Sequence, residues 1–405
     1  SGGSRPREGT TMDDGKANRV REIIDRAEAM EHCAEQVRLA EEAVRLADLH
    51  GDIDLGFEAR HVVISAAIFS GQDERAIAPF TWCLAQSDRD PERFPGTGFA
   101  GRHSLIWKYK WIVGAAEDWP RISLDRLHAM MDDMERRHRE HGFSDRSTLK
   151  HRLSTAILRG DEQEGRATFR KWRVSSRDAL SDCIACDHNQ EVAYWTFLGE
   201  DERAWETAAP IINGLLSCAT VPRLSYAQLL LPLVRLGRLG EAVQCHLKGF
   251  RLSARNPRWT KDAAQHMLFL GLTGHHTKAL RLLESHLPFP HDPITADRAD
   301  HFEFFLSARF LMERLTEERK KTIRLRLPEC FPVHQPEGKY VIRELEEWFA
   351  SEASRIAARF DERNRSDAFA RRIEANLNLA DLVSPYPLRA PRSRRPSPPP
   401  DSVDA

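Results

Sequence analysis

Residues 226–250 read YAQLLLPLVRLGRLGEAVQCHLKGF. Tyr226, Leu229, Leu230, Leu233 and Val234 fall at i, i+3, i+4, i+7 and i+8, which is one apolar stripe on a helix. Leu239, Ala242, Val243, Leu247 and Phe250 repeat the stripe just downstream. Gly237-Arg238-Leu239-Gly240 leaves room between them only for a short turn. Two amphipathic helices joined so closely must pack antiparallel.

The same punctuation recurs along the chain. A glycine with an alanine five residues later marks Gly71 to Ala76, Gly199 to Ala204, Gly237 to Ala242 and Gly274 to Ala279. A looser copy runs from Gly160 to Ala167, and a degenerate one from Trp111 to Ile122 turns at Glu117-Asp118-Trp119-Pro120. Glycine tolerates the left-handed backbone that ends a first helix, and the small alanine lets the second helix approach it. The glycines at 160, 199, 237 and 274 are 39, 38 and 37 residues apart. A lone helix pair cannot bury its apolar face, so neighbouring pairs must stack. The expected fold is therefore all-α, a solenoid of stacked antiparallel helix hairpins.

In these turns the chain resembles the tetratricopeptide-repeat (TPR) family, most closely at Gly71-Gln-Asp-Glu-Arg-Ala76 and Gly199-Glu-Asp-Glu-Arg-Ala204. The resemblance spans roughly residues 34–287. The repeats run longer than the family's period of about 34 residues. Leu230 and Met267 stand where the family places a small residue in its first helix. The resemblance implies a right-handed superhelix whose first helices line an inner groove that binds another protein or a peptide. In that register Glu58, His61, Lys150, Asn189, Gln228, Lys261 and Gln265 face the groove. The Lys/Asn clamp with which some members hold a C-terminal carboxylate is absent, its first position reading His61, Lys150, Asn189, Ala227 and Ala264.

Four segments follow from composition and pattern. Residues 1–16 read as a disordered N-terminal segment or linker, 17–287 as the TPR-like repeats, 288–382 as a helical C-terminal cap, and 383–405 as a disordered Pro/Arg-rich tail. Within the cap, His301–Glu318, Lys339–Asn364 and Ser366–Asn378 are predicted helices. The stretch from Ile323 to Gly338 carries Pro328, Pro332 and Pro336 and reads as a loop, with Ile323–Leu327 suiting a short strand equally well.

The formal charge of −1 over 405 residues argues against a protein held on nucleic acid or on an anionic membrane by bulk electrostatics. With 41% hydrophobic and 30% charged residues the chain can bury a core and stay dissolved. No run of 18 apolar residues exists, so no membrane partner is expected. The bias of 49 arginines to 11 lysines suggests a GC-rich, bacterial genome. An odd set of seven cysteines in so long a chain fits reduced thiols in the cytoplasm better than a disulfide framework.

No phosphate loop, dinucleotide fingerprint, H-E-x-x-H or G-x-S-x-G motif occurs, and no enzyme is read here. The leading expectation is a non-catalytic protein- or peptide-binding scaffold or regulator, with no cofactor and no small-molecule substrate. One alternative is a zinc-bearing protein. Cys183-Ile-Ala-Cys186-Asp-His188 offers two thiols and an imidazole, and Cys218, 35 residues after Cys183, falls near the equivalent place one repeat on. Another alternative is nucleic-acid binding, for which Trp107–Trp111 mixes aromatics with cations and Arg136–Arg139 is basic. Cys245 and His246 are adjacent on a helix, and diverge too far for a nucleophile–base pair.

Overall fold

A computed structural model describes residues 14–98, 104–253, 256, 259–288 and 297–389. The chain opens with α1 (Asp14–Glu28) and α2 (Ala34–His50). Six antiparallel hairpins follow: α3 (Ile53–Ser70) with α4 (Glu74–Arg89), α5 (Leu105–Glu117) with α6 (Leu124–Glu140), α7 (Arg146–Arg159) with α8 (Glu162–Val174), α9 (Ile184–Phe197) with α10 (Asp201–Ile212), α11 (Arg223–Gln228) and α12 (Leu230–Arg235) with α13 (Leu239–Ser253), and α14 (Thr260–Leu272) with α15 (His276–His286). After them come α16 (Ala299–Glu317), β1 (Thr322–Arg324), β2 (Lys339–Val341), α17 (Ile342–Asn364), α18 (Ala368–Leu377) and a 3-10 turn (Asn378–Leu382). Neighbouring helices pack in sequence order, so the fold is an all-α solenoid of stacked hairpins. Among the described residues no helix is long and apolar enough to cross a membrane.

The turns work as their residue types require. Gly71, with φ of 74°, ends α3 in the left-handed region. Its N–H donates to Ile68 O and the Gln72 N–H to Ala67 O at 2.8 Å, which satisfies the last carbonyls of the helix. Ala76, Ala204, Ala242 and Ala279 are fully buried where the second helices meet the first. The copy at Gly160 is regular rather than loose. Gly165, five residues on, takes the small position, and a Cβ there would already touch the Phe197 ring at 3.4 Å.

Four local readings are corrected. The 226–235 helix breaks at Leu229 into α11 and α12. Ile323 forms a strand residue paired with Tyr340, so residues 339–341 begin as β2 rather than as helix. Helix α1 takes in residues 14–16, which were expected to be disordered. The start of the expected tail lies against α14: Ser384 N–H donates to Leu272 O at 2.9 Å, and Tyr386 O sits 2.7 Å from His275 Nε2. The rest of the expected unfolded ends, 1–13 and 390–405, lies outside the described residues.

The C-terminal helices do more than cover the last hairpin. Helix α16 packs on α14 and α17 on α16, and α18 then reaches back to α7. Arg159 donates to Asn364 O at 3.2 Å, and Arg363 donates to Glu117 O at 2.9 Å. The segment before α16 returns to the first hairpins, where Arg298 meets Asp73 and Asp118. The array thus closes on itself, and its concave side becomes a half-open channel. Phe302, Phe304, Phe305 and Phe310 of α16 are all buried because neighbours surround this helix.

Closure makes Gly160 sensitive. Its φ is 67°, and a Cβ there would stand 2.9 Å from Ala368 Cβ on α18. Gly199 has φ of 71° with nothing within 4 Å. Alanine at either site carries about 1–2 kcal/mol of backbone strain, and at Gly160 the clash adds about 1 kcal/mol or more. Urea unfolding should therefore rank Gly160→Ala clearly below Gly199→Ala. Equal losses would mean that α18 does not bear on this turn.

Candidate functional site

The first helices of the hairpins line the channel. One cavity, of about 450 Å³, lies between α3, α5, α11, α14 and the Arg298–Asp300 segment. It shares Asp118, Leu224, Lys261 and Asp262 with a second, which shares Asn189's neighbour Ala193 together with Gln228, Gln265 and Arg372 with a third under α18. The three form one continuous concave surface.

Its floor at the α3–α5 end is built around Arg298. Nη1 lies 2.5 Å from Asp73 Oδ2, Nη2 3.1 Å from Asp118 Oδ2 and Nε 3.2 Å from Asp300 Oδ1. Asp300 also accepts from Thr260 Oγ1 at 2.6 Å. Burial opposes the charge on Asp300, but Arg298 and His301 outweigh it and hold the carboxyl at about 2. Asp118 goes the other way: burial pushes it up to about 6 despite Arg298 and Lys261, with Asp300 and Asp73 adding like charge. Its side chain is 39% exposed, and that edge opens onto the channel, where the walls limit its hydration. Three carboxylates thus share one guanidinium, which leaves this end acidic. Phe69 and Trp111 meet edge to face at 5.0 Å and form an aromatic lip beside it.

The adjoining wall is made of internal ion pairs. Lys110 Nζ donates to Asp182 Oδ1 at 2.8 Å and to Leu180 O at 2.7 Å, and lies 3.4 Å over the Trp107 ring. Lys150 Nζ takes the other oxygen, Oδ2, at 2.5 Å. Burial opposes ionisation of Asp182, yet these two ammonium groups hold it well below the usual carboxylate range. His151 Nδ1 is 2.7 Å from Glu117 Oε1. At the far end the balance reverses. Arg235, Lys261, Arg371 and Arg372 line it with Glu162 and Glu303, and Arg235, Arg371 and Arg372 pair with Asp201, Asp367 and Glu303.

Of the residues expected in the groove, Asn189, Gln228, Lys261 and Gln265 line this surface. Lys261 is exposed, borders all three cavities and stands close enough to Asp118 to favour its carboxylate. Asn189 is fixed by the Ser225 hydroxyl at 2.6 Å. Lys150 stands behind the wall on Asp182. Glu58 and His61 do not line the channel. Glu58 is half-buried, and His61 is fully buried against Lys108, whose Nζ reaches His61 Nδ1 at 3.1 Å and His61 O at 2.7 Å. Sequence reasoning did not find Asp73, Arg298, Asp300 or Arg372, because each acts across a long-range contact.

The cysteine reading is met in part. The sulfurs of Cys183, Cys186 and Cys218 all lie within 4.8 Å of one another. His188 does not join them: its Nδ1 lies 3.3 Å from Thr207 O on α10. Two residues past Cys186 on a helix, it points about 200° away. Cys245 and His246 are both buried, which pushes the thiol up to about 12 and the imidazole down to about 3. Neither is poised for chemistry near neutral pH.

No family model matches this chain, and no curated protein is similar to it. The geometry of the channel and of the thiol cluster therefore carries the functional reading.

Proposed function

We propose that the chain is a non-catalytic binding protein whose channel takes a peptide segment of a partner protein, and that its hairpins are TPR-like repeats. The observation that carries this reading is the polarity of one continuous concave surface. It is acidic and aromatic-lipped at Asp118, Asp300 and Trp111, amide-lined at Gln228 and Gln265, and cationic at Arg371 and Arg372. An extended segment with basic residues at one end and acidic residues at the other matches that order, and rigid stacked helices hold the contacts in place before binding. Nucleic acid is a poorer fit. Lys108 and Lys110 are buried in internal contacts, while Arg136 and Arg137 are paired with Asp133, and Arg139 with Glu135.

Labelled peptides with opposite charge at their two ends should bind the full chain, and Lys261→Glu should weaken them about tenfold, or ~1.4 kcal/mol. Lys261 is exposed, so its replacement leaves folding nearly untouched. Asp118 is neutral below its raised value of about 6. The basic end should therefore bind more weakly as pH falls through 6. Uniformly charged peptides binding equally well, or indifference to Lys261→Glu, would count against the channel as the site.

A further inference from the structure

The thiol cluster sits where loops from two successive repeats stack. Cys183 is the N-cap of α9, Cys186 lies in its first turn, and Cys218 lies in the loop that follows α10. The sulfurs of Cys186 and Cys218 are 3.5 Å apart, and all three pairs fall within 4.8 Å. Sulfurs bound at about 2.3 Å to a tetrahedral zinc ion stand about 3.8 Å from one another. The Cys186–Cys218 separation is already close to that spacing, and the other two pairs lie within 4.8 Å. A disulfide requires approach to about 2.05 Å and would leave the third thiol without a role.

Hydrogen-bond donors surround the sulfurs. The Cys186 N–H donates to Cys183 Sγ at 3.4 Å, and the Val221 N–H donates to Cys218 Sγ at 3.4 Å. The Thr220 hydroxyl lies 3.5 Å from Cys218 Sγ and 3.7 Å from Cys186 Sγ, placed to donate to either. Burial opposes the Cys218 thiolate, but these hydrogen bonds outweigh it and bring the thiol down to about 7. Burial pushes Cys186 up to about 12, while the Lys150 ammonium acts in the opposite direction. A bound cation removes that remaining proton outright. Ala185, Ile211 and Val221 back the cluster with apolar surface, whereas Cys183 is exposed.

We propose that Cys183, Cys186 and Cys218 together bind one thiophilic divalent metal ion, zinc in the first instance, with its fourth position open to solvent. Binding releases three protons to water and forms three metal–sulfur bonds with no change of oxidation state. The resulting tri-thiolate complex carries one net negative charge, which the neighbouring Lys150 offsets. The ion ties the start of α9 to the loop before α11, the two elements that bring Asn189 and Gln228 to the channel. The site stands independently of what the channel binds.

The full chain, reduced and stripped with a chelator, should be titrated with Co2+ and then with Zn2+. We expect one Co2+ per chain with an intense thiolate-to-cobalt charge-transfer band, bleached by one equivalent of Zn2+. Zinc should shield these three cysteines from alkylation while exposed Cys33 and Cys330 keep reacting. Cys183→Ser and Cys218→Ser should each weaken the metal about a hundredfold, and Cys330→Ser should not. The proposal is overturned by cobalt binding without the thiolate band, by unshielded alkylation, by wild-type affinity in Cys218→Ser, or by a Cys186–Cys218 disulfide that forms in air despite excess zinc.

Discussion

Replacing Arg298 with methionine should destabilise the protein by about 3–5 kcal/mol, the cost of removing one partner from a buried ion pair. Methionine keeps most of the volume and removes the charge. Asp73, Asp118 and Asp300 then face one another in a confined site without their shared cation. In the native protein Asp300 is held at about 2, below its usual range, so its ion pairing stabilises the fold above the ordinary carboxylate range and is lost as pH falls through 2. In the variant the sign reverses. Carboxylates crowded without Arg298 have raised values, so stability is retained at low pH and lost as pH rises through those values. Thermal unfolding across pH 4–8 should show the gap between variant and wild type widening with pH. Arg203→Met, which breaks a surface pair with Glu200 and an exposed cation–π contact with Trp195, should change stability by about 1 kcal/mol or less. An Arg298→Met protein as stable as that control would show that the cluster does not hold the closure.

A second large effect is expected at the aromatic junction of the last three helices. Phe360 of α17 is fully buried and stacks on Phe369 of α18, with ring centroids 4.4 Å apart and planes 6° from parallel. Phe369 in turn meets Phe302 of α16 edge on at 4.9 Å. Phe360→Ala removes one end of this stack, and such truncations cost about 3–5 kcal/mol when the cavity cannot collapse. Three helices fix the walls here, so relaxation should be small. Phe360→Leu refills most of the space and should recover more than half of the loss. Denaturant unfolding measures both, and a loss of under about 1 kcal/mol in Phe360→Ala would mean that the junction is loosely packed.

Much of the architecture was legible because it is local. The glycine and the small residue five places later are requirements of a single turn, so Gly71, Gly199, Gly237 and Gly274 each announce a hairpin without knowledge of the rest. The same regularity brought Cys218 to Cys183, since positions one repeat apart stack. Gly165 was overlooked because a search for alanine passes over the still smaller residue that does the same work. The closure was hidden for a different reason. Apolar periodicity shows which face needs covering but not what covers it, and Arg298 meets Asp73 across 225 positions of sequence. One signal did point there. Phe302, Phe304, Phe305 and Phe310 place aromatic groups on several sides of α16, a distribution suited to a helix enclosed by others rather than to an end cap with a solvated face. His61 shows the same limit at a single residue: its register is that of a groove position, but Lys108 from the next hairpin buries it.

An open solenoid lengthens or shortens easily, because each hairpin touches only its neighbours and a duplicated unit finds the same surroundings. Arg298 removes that freedom. Its reach back to Asp73 and Asp118 is met by one number of intervening hairpins, each contributing its own rotation. Inserting or deleting a pair would swing α16 away from α5 and leave α18 without Gly160 to rest on. Repeat number in this chain is therefore fixed by geometry, and its variation is confined to substitutions and loops within hairpins that already exist.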